Sequence, residues 1–178
     1  MRVIGLAGWS GAGKTTLLTR VIPHFLKEGL RVSVIKHAHH AFDVDVPGKD
    51  SWQHRQSGAE EVLVSSGKRW ALMHELRGAS EPRLPELLAK MSRVDLVIVE
   101  GFKSEPYRKI EVYRAANGKA PLFPDDPGIV GIAADAALET ALPVVHLDDI
   151  PAIAAMMQRS AISVEDVLAR SAGVNDVR

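Results

Sequence analysis

A three-layer α/β architecture, with a mostly parallel sheet and one added antiparallel hairpin, is what this sequence predicts. Three observations predict it. The chain opens on an apolar run, Val3-Ile4-Gly5-Leu6-Ala7, that passes through a glycine-rich turn into a helical pattern. Asp95-Leu96-Val97-Ile98-Val99-Glu100 is almost continuously apolar, the pattern of a strand covered on both faces. Short apolar strands then alternate with helical stretches, as they do where crossover units build a parallel sheet. A length of 178 residues with 46% apolar and 25% charged residues fits one domain over residues 1–170, with a loose tail over 171–178.

Each element has its own local reason. A helix is predicted over 14–28, where Leu17, Leu18, Val21, Ile22, Phe25 and Leu26 recur at helical spacing and Gly29 stops it. Pro23 inside it predicts a kink. Residues 31–36 form a short β-branched strand parallel to the first. Residues 37–51 have no apolar periodicity and carry Pro47-Gly48, so they read as a loop. That loop leaves a strand end beside the first turn, where open α/β sheets place ligands. Asp50 or Ser51 is expected to cap a helix through Ser57, ended by Gly58. Residues 61–66 and 69–75 alternate about Gly67-Lys68 and predict a hairpin. Further helices are expected over 84–91, 150–157 and 164–169, and further strands over 95–100, 109–114, 129–134 and 144–147.

The chemistry is concentrated in Gly8-Trp9-Ser10-Gly11-Ala12-Gly13-Lys14-Thr15-Thr16. This segment fits G-x-x-x-x-G-K-[ST] without a mismatch, between a strand and a helix, and so predicts a P-loop NTPase fold. A phosphate chain needs backbone N–H groups at close range, which side chains would block; three glycines remove them. The helix start adds partial positive charge at the same spot. Lys14 is expected on the β- and γ-phosphates and the Thr15 hydroxyl on Mg²⁺, a hard cation that prefers oxygen. The residues thus predict a nucleoside triphosphate with magnesium, and leave guanine against adenine open.

Glu100 ends the buried strand, where nucleotide-hydrolysing P-loop proteins place the acid that holds Mg²⁺. Lys14 and Glu100 are the candidate catalytic groups. His37, His39 and His40, followed by Asp43 and Asp45, invite a zinc or nickel reading, although the spacing is not diagnostic. The preferred reading makes the loop a substrate or switch segment. Lys36, His37, His39 and Lys49 would meet phosphates, with His40 in the same segment, while Asp43, Asp45 or Asp50 approaches Mg²⁺; a solvated polar loop is the plain alternative. Asp135 ends another buried strand, either to accept hydrogen bonds from a guanine edge or to cap local structure. Lys103, Arg108 and Lys109 are a basic rim near Glu100 or ordinary surface charge, and Trp9 has no evident duty in phosphate binding.

Composition narrows the partners. Lysine plus arginine equals aspartate plus glutamate at 22 each, which gives no basis for a grip on nucleic acid or an anionic membrane. There is no cysteine, hence no disulfide framework. No apolar run is long enough to cross a bilayer, and a cytoplasmic location is expected.

With these residues in view, the chain resembles the MobB family, the molybdopterin-guanine dinucleotide biosynthesis adapter proteins. The resemblance lies in residues 8–16, in Lys36-His37-Ala38-His39-His40 and in Phe42-Asp43-Val44-Asp45-Val46-Pro47-Gly48-Lys49-Asp50-Ser51. It continues through Ser57-Gly58-Ala59, Val99-Glu100-Gly101-Phe102-Lys103 and Lys109-Ile110-Glu111-Val112. It implies a GTP-binding homodimer with weak GTPase activity that assists attachment of GMP to molybdopterin alongside a partner nucleotidyltransferase. It also implies that Gly11, Gly13, Lys14, Thr15 and Thr16 bind phosphates and Mg²⁺. No arginine finger is evident, in keeping with slow turnover. The rival readings are a nucleotide-dependent adaptor with residues 37–51 as its switch, a histidine-using metallochaperone GTPase, and a small-molecule kinase. The last is disfavoured because no arginine-rich lid segment is visible.

Overall fold

The computed structural model describes residues 1–38, 42–102 and 105–173. They fall into two compact units, Met1–His37 with the chain from Leu84 onward, and Ala38–Arg83. In chain order, β1 (Arg2–Ala7), α1 (Lys14–Lys27) and β2 (Val32–Lys36) come first. The second unit then holds α2 (Asp50–Gln56), β3 (Glu61–Ser65) and β4 (Trp70–His74). The first unit resumes with α3 (Leu84–Lys90), β5 (Leu96–Glu100), β6 (Lys109–Tyr113) and β7 (Ile129–Ala134). It ends with β8 (Val144–His146), α4 (Ile150–Ser160), β9 (Ile162–Ser163) and α5 (Val164–Gly173).

Six strands of the first unit run parallel in the order β2-β5-β1-β6-β7-β8. Alternation within each central strand explains why the sheet is covered twice. Ile4 and Leu6 of β1 and Ile98 of β5 point into one core, with Leu17, Val21 and Phe25 of α1 and Ile153 and Met157 of α4. Val3, Val97 and Val99 point the other way, among Leu84 and Leu88 of α3, Tyr107 and Val167 of α5. Each fully buried Ile, Leu or Phe contributes about 2 kcal/mol. The three-layer α/β architecture with an added hairpin is therefore as predicted.

Three local expectations need correction. The N-cap of α2 is Lys49, with no side-chain cap, because the Ser51 hydroxyl turns away to donate to Asp45 Oδ1 at 2.8 Å. A ninth strand also exists: Arg2 and Val3 pair antiparallel with Ser163 and Ile162 of β9. Two residues are too short a run to show any period, so β9 leaves no trace in the sequence pattern. α5 continues to Gly173, and buried Ser171 donates to Glu105 Oε2 at 3.2 Å; residues 174–178 lie outside the described residues.

In the second unit, β3 and β4 pair from Glu61↔His74 to Ser65↔Trp70, as the alternation predicts. Leu63, Val64, Trp70 and Leu72 of this hairpin are all exposed. Among the described residues, no helix is long and apolar enough to cross a membrane.

Candidate functional site

The turn from β1 into α1 is shaped by close approach. Gly8 has φ 143°, and a Cβ there would stand 2.6 Å from the Val112 carbonyl oxygen on β6. Only glycine lets the loop lie against that strand. Gly13 is the N-cap of α1 in the left-handed conformation, with no side-chain cap and no acidic residue in the first turn. The helix therefore presents its first N–H groups uncovered by any capping side chain, with its dipole unopposed by local acids. The Lys14 ammonium lies within the loop, donating to Gly8 O at 2.9 Å and Trp9 O at 3.1 Å. Thr15 and Thr16 are exposed on the first turn.

The loop is clasped from outside by the connection after β6. The Trp9 indole N–H donates to Ala120 O at 2.8 Å, which gives this side chain an anchoring duty. The Asn117 amide donates to Ser10 O at 2.9 Å. Buried Glu111 of β6 accepts the N–H groups of Leu122 and Phe123 at 2.7 and 2.9 Å, which pins the same connection. Burial pushes the Glu111 carboxyl above the usual range, against the pull of those two N–H groups. Asp135, at the end of β7, accepts from Ala115 N at 2.8 Å and from Arg114 Nη1 at 3.4 Å. Both of its oxygens are thus engaged with the end of β6.

Glu100 stands half-buried at the tip of β5, in register with Leu6 on one side and Lys36 on the other. The turn beyond it is strained: Phe102 has φ 49°, a left-handed conformation rare for a bulky residue. Contacts hold it there. The Tyr107 hydroxyl donates to Gly101 O at 2.6 Å. The His37 N–H donates to Glu100 O at 2.8 Å, and its ring lies 4.7 Å from the Phe102 ring, tilted by 34°. His37 thus packs on the Glu100 turn. The expected basic rim nearby is not formed by Lys109, which is 2% exposed and pairs with Asp126 at 3.0 Å. It sits inward because β6 is a central strand and Asp126 meets it there. Lys103, His39 and His40 lie outside the described residues.

The remaining predicted residues belong to the second unit, and there the acids of the loop close on one arginine. Arg55 of α2 donates through Nη2 to both Asp43 oxygens at 2.8 Å, through Nε to Asp45 at 3.3 Å and through Nη1 to Glu75 at 2.7 Å. Asp45 also accepts from Val46 N and the Ser51 hydroxyl. The hydrogen bond from Arg55 holds the Asp43 carboxyl below its ordinary value, helped by the Asp45 N–H. Lys49 and Asp50 are exposed at the start of α2. Among the described residues, no three His, Asp or Glu side chains gather as metal ligands.

The sequence reading missed Arg55 and Arg114. A signal existed for the first: Ser51 and Arg55 are four residues apart, so one helix face carries both donors that meet Asp45. For Arg114 none existed, because its approach to the P-loop depends on β6 docking beside β1.

Residues 3–135 match the sequence profile of molybdopterin guanine dinucleotide synthesis protein B. The chain is 40% identical over 155 residues to the molybdopterin-guanine dinucleotide biosynthesis adapter protein of Escherichia coli, a match covering 85% of this chain and 89% of that one. The adapter protein of Haemophilus influenzae is also 40% identical, with 85% of each chain covered. A crystal structure of molybdopterin-guanine biosynthesis protein B superposes with a TM-score of 0.71 at 26% identity, over 88% of this chain and 98% of that one.

Proposed function

The chain belongs to the MobB family, and on that footing we propose that it is an accessory GTP-binding protein of molybdenum cofactor maturation. In this reading it hydrolyses GTP slowly, in the cytoplasm, and assists a partner nucleotidyltransferase in forming molybdopterin guanine dinucleotide. The observation that carries the reading is the Lys14 ammonium, held by two loop carbonyls within a turn that only glycine can make.

The residues divide the work. Loop amides and the start of α1 receive the phosphates, and Lys14 neutralises their charge where it develops. The Thr15 hydroxyl and the Glu100 carboxylate are a hard oxygen donor set of the kind Mg²⁺ takes, and they would hold it. When bound, that ion neutralises charge shared between β- and γ-oxygens. Glu100 alternatively orients the attacking water. Asp45, already accepting three donors, is left to order its own loop. The exposed Leu63, Val64, Trp70 and Leu72 suit pairing of the hairpin with a second copy of the chain, making a homodimer.

Calorimetry with GTP and magnesium tests the reading through Lys14→Ala. Two charge-assisted contacts of about 1.5–3 kcal/mol each predict a loss of about 100-fold or more in affinity. Unchanged affinity in a folded variant contradicts it.

A further inference from the structure

We propose that Arg114 is a phosphate-binding residue, supplied in cis, whose Nε/Nη2 edge grips the phosphate chain of the nucleotide held by the P-loop. The inference rests on the nucleotide reading above and adds to it a cation that the motif does not contain.

The geometry points that edge at the loop. A Cβ on Gly13 would lie 3.5 Å from Arg114 Nη2 and 3.8 Å from Nε. The opposite corner, Nη1, reaches Asp135 at 3.4 Å, its one hydrogen bond among the described residues. The guanidinium is therefore steered by its far side while its Nε/Nη2 fork faces the N-cap of α1. That fork is the edge that matches two phosphate oxygens at once. The side chain is about half exposed, so the contact is open to a ligand.

Electrostatics make the same point. A guanidinium beside a helix N-terminus meets charge of its own sign, and Lys14 brings another cation to the same loop. Asp135 offsets part of this through one long contact and is shared with Ala115 N. Three positive sources converging on one amide-lined turn are stable together when a multiply charged anion lies among them. Placement is not left to chance. Asp135 fixes the backbone at Ala115, Asn117 ties the next turn to Ser10, and Trp9 reaches over to Ala120.

The test compares the full-length protein with its Arg114→Ala and Arg114→Lys variants, titrated with Mg·GTP, Mg·ATP and inorganic triphosphate. A bidentate charge-assisted contact predicts that Arg114→Ala loses about 10- to 100-fold in affinity for every ligand the unmodified protein binds, inorganic triphosphate included. Arg114→Lys, a point charge without the fork, should recover only part, and the salt dependence of binding should flatten in Arg114→Ala alone. Melting temperatures equal to that of the unmodified protein would show that the fold survives in each variant. Wild-type affinity for inorganic triphosphate in a folded Arg114→Ala overturns the proposal, and so does a loss confined to one nucleobase, which would assign the side chain to the base. If the unmodified protein takes up none of the three while Arg114→Ala behaves identically, the nucleotide reading itself has failed and this inference falls with it.

Discussion

Two glycine-bearing loops in this molecule meet the same problem, how to hold a turn rich in polar groups, by opposite means. Residues 8–15 do it mainly by close approach of backbone: Gly8 lies against the Val112 carbonyl and Gly13 caps α1 without a side chain, while Lys14 and Asn117 donate to the loop carbonyls. Residues 42–51 do it with side chains: Asp43, Asp45, Ser51 and Glu75 close around Arg55. The first arrangement leaves a surplus of positive potential and so asks for an anion. The second closes three carboxylates around one arginine and keeps an excess of negative charge, so it asks for no anion. A row of acids and histidines in a sequence looks like a ligand set, yet one buried arginine can absorb the acids.

The sharpest way to break the contrast is at Gly8. Gly8→Ala places a methyl 2.6 Å from a carbonyl oxygen of a central strand, and that oxygen cannot swing aside as a side-chain tip would. Either β1 and β6 part or the loop is displaced. Clash and backbone strain together predict a loss of about 3 kcal/mol or more in denaturant unfolding. GTP affinity should fall with it, because the displaced amides no longer converge. A variant with wild-type stability and affinity would show that the close approach does not govern the loop.

How much of this was legible beforehand follows from the same contrast. The glycine-rich turn could be read because its parts are contiguous: a strand, followed within nine residues by three glycines, a lysine and a threonine. The place of Glu100 at a strand end could be read because a strand buried on both faces announces its own end. Arg114 could not, since 101 positions separate it from Gly13 and only the pairing of β6 with β1 brings them together. The spacing of Ser51 and Arg55 places two donors on one helix face, but it does not say which acids they meet, because a charged side chain in an aperiodic stretch looks the same whether its partner is water, a metal or an arginine ten residues on. Lys109 misled for a related reason. Its neighbours alternate as a strand, but nothing local says that Asp126 will accompany it inward.

Acid offers a second, smaller probe, confined to the side-chain loop. Arg55 holds the Asp43 carboxyl below its ordinary value of 3.8. A carboxylate lowered in the folded state contributes stability in full above its unfolded value, and that contribution is lost as pH falls through the lowered one. Cleavage by pepsin within residues 42–57 should therefore rise from about pH 4 downward in the natural protein. Asp43→Asn should be cut readily across the whole range, which also corrects for the protease's own pH dependence. Equal cleavage of the two proteins at every pH would mean that the Asp43–Arg55 pair does not order the segment.

The smallest expected effect is at Gly48, and it isolates what a glycine does when nothing is packed against it. Val46-Pro47-Gly48-Lys49 closes with Lys49 N–H to Val46 O at 3.1 Å, with Pro47 and then Gly48, at φ 85°, as the central pair. That is the sequence and geometry of a type II turn, whose third position favours glycine. Among the described residues, and apart from its two chain neighbours, no atom lies within 4 Å of a Cβ placed there, so the penalty for Gly48→Ala is the left-handed conformation, about 1 kcal/mol. Asparagine visits that conformation more readily, so Gly48→Asn should regain much of the loss in denaturant unfolding. At Gly8 the order reverses: asparagine is larger than alanine and the obstacle is a carbonyl, so Gly8→Asn should be the worse of the two. Finding the same rank at both glycines would mean that a single cause, backbone conformation, operates in both loops, and the division between a sterically built and an electrostatically built turn would have to be withdrawn.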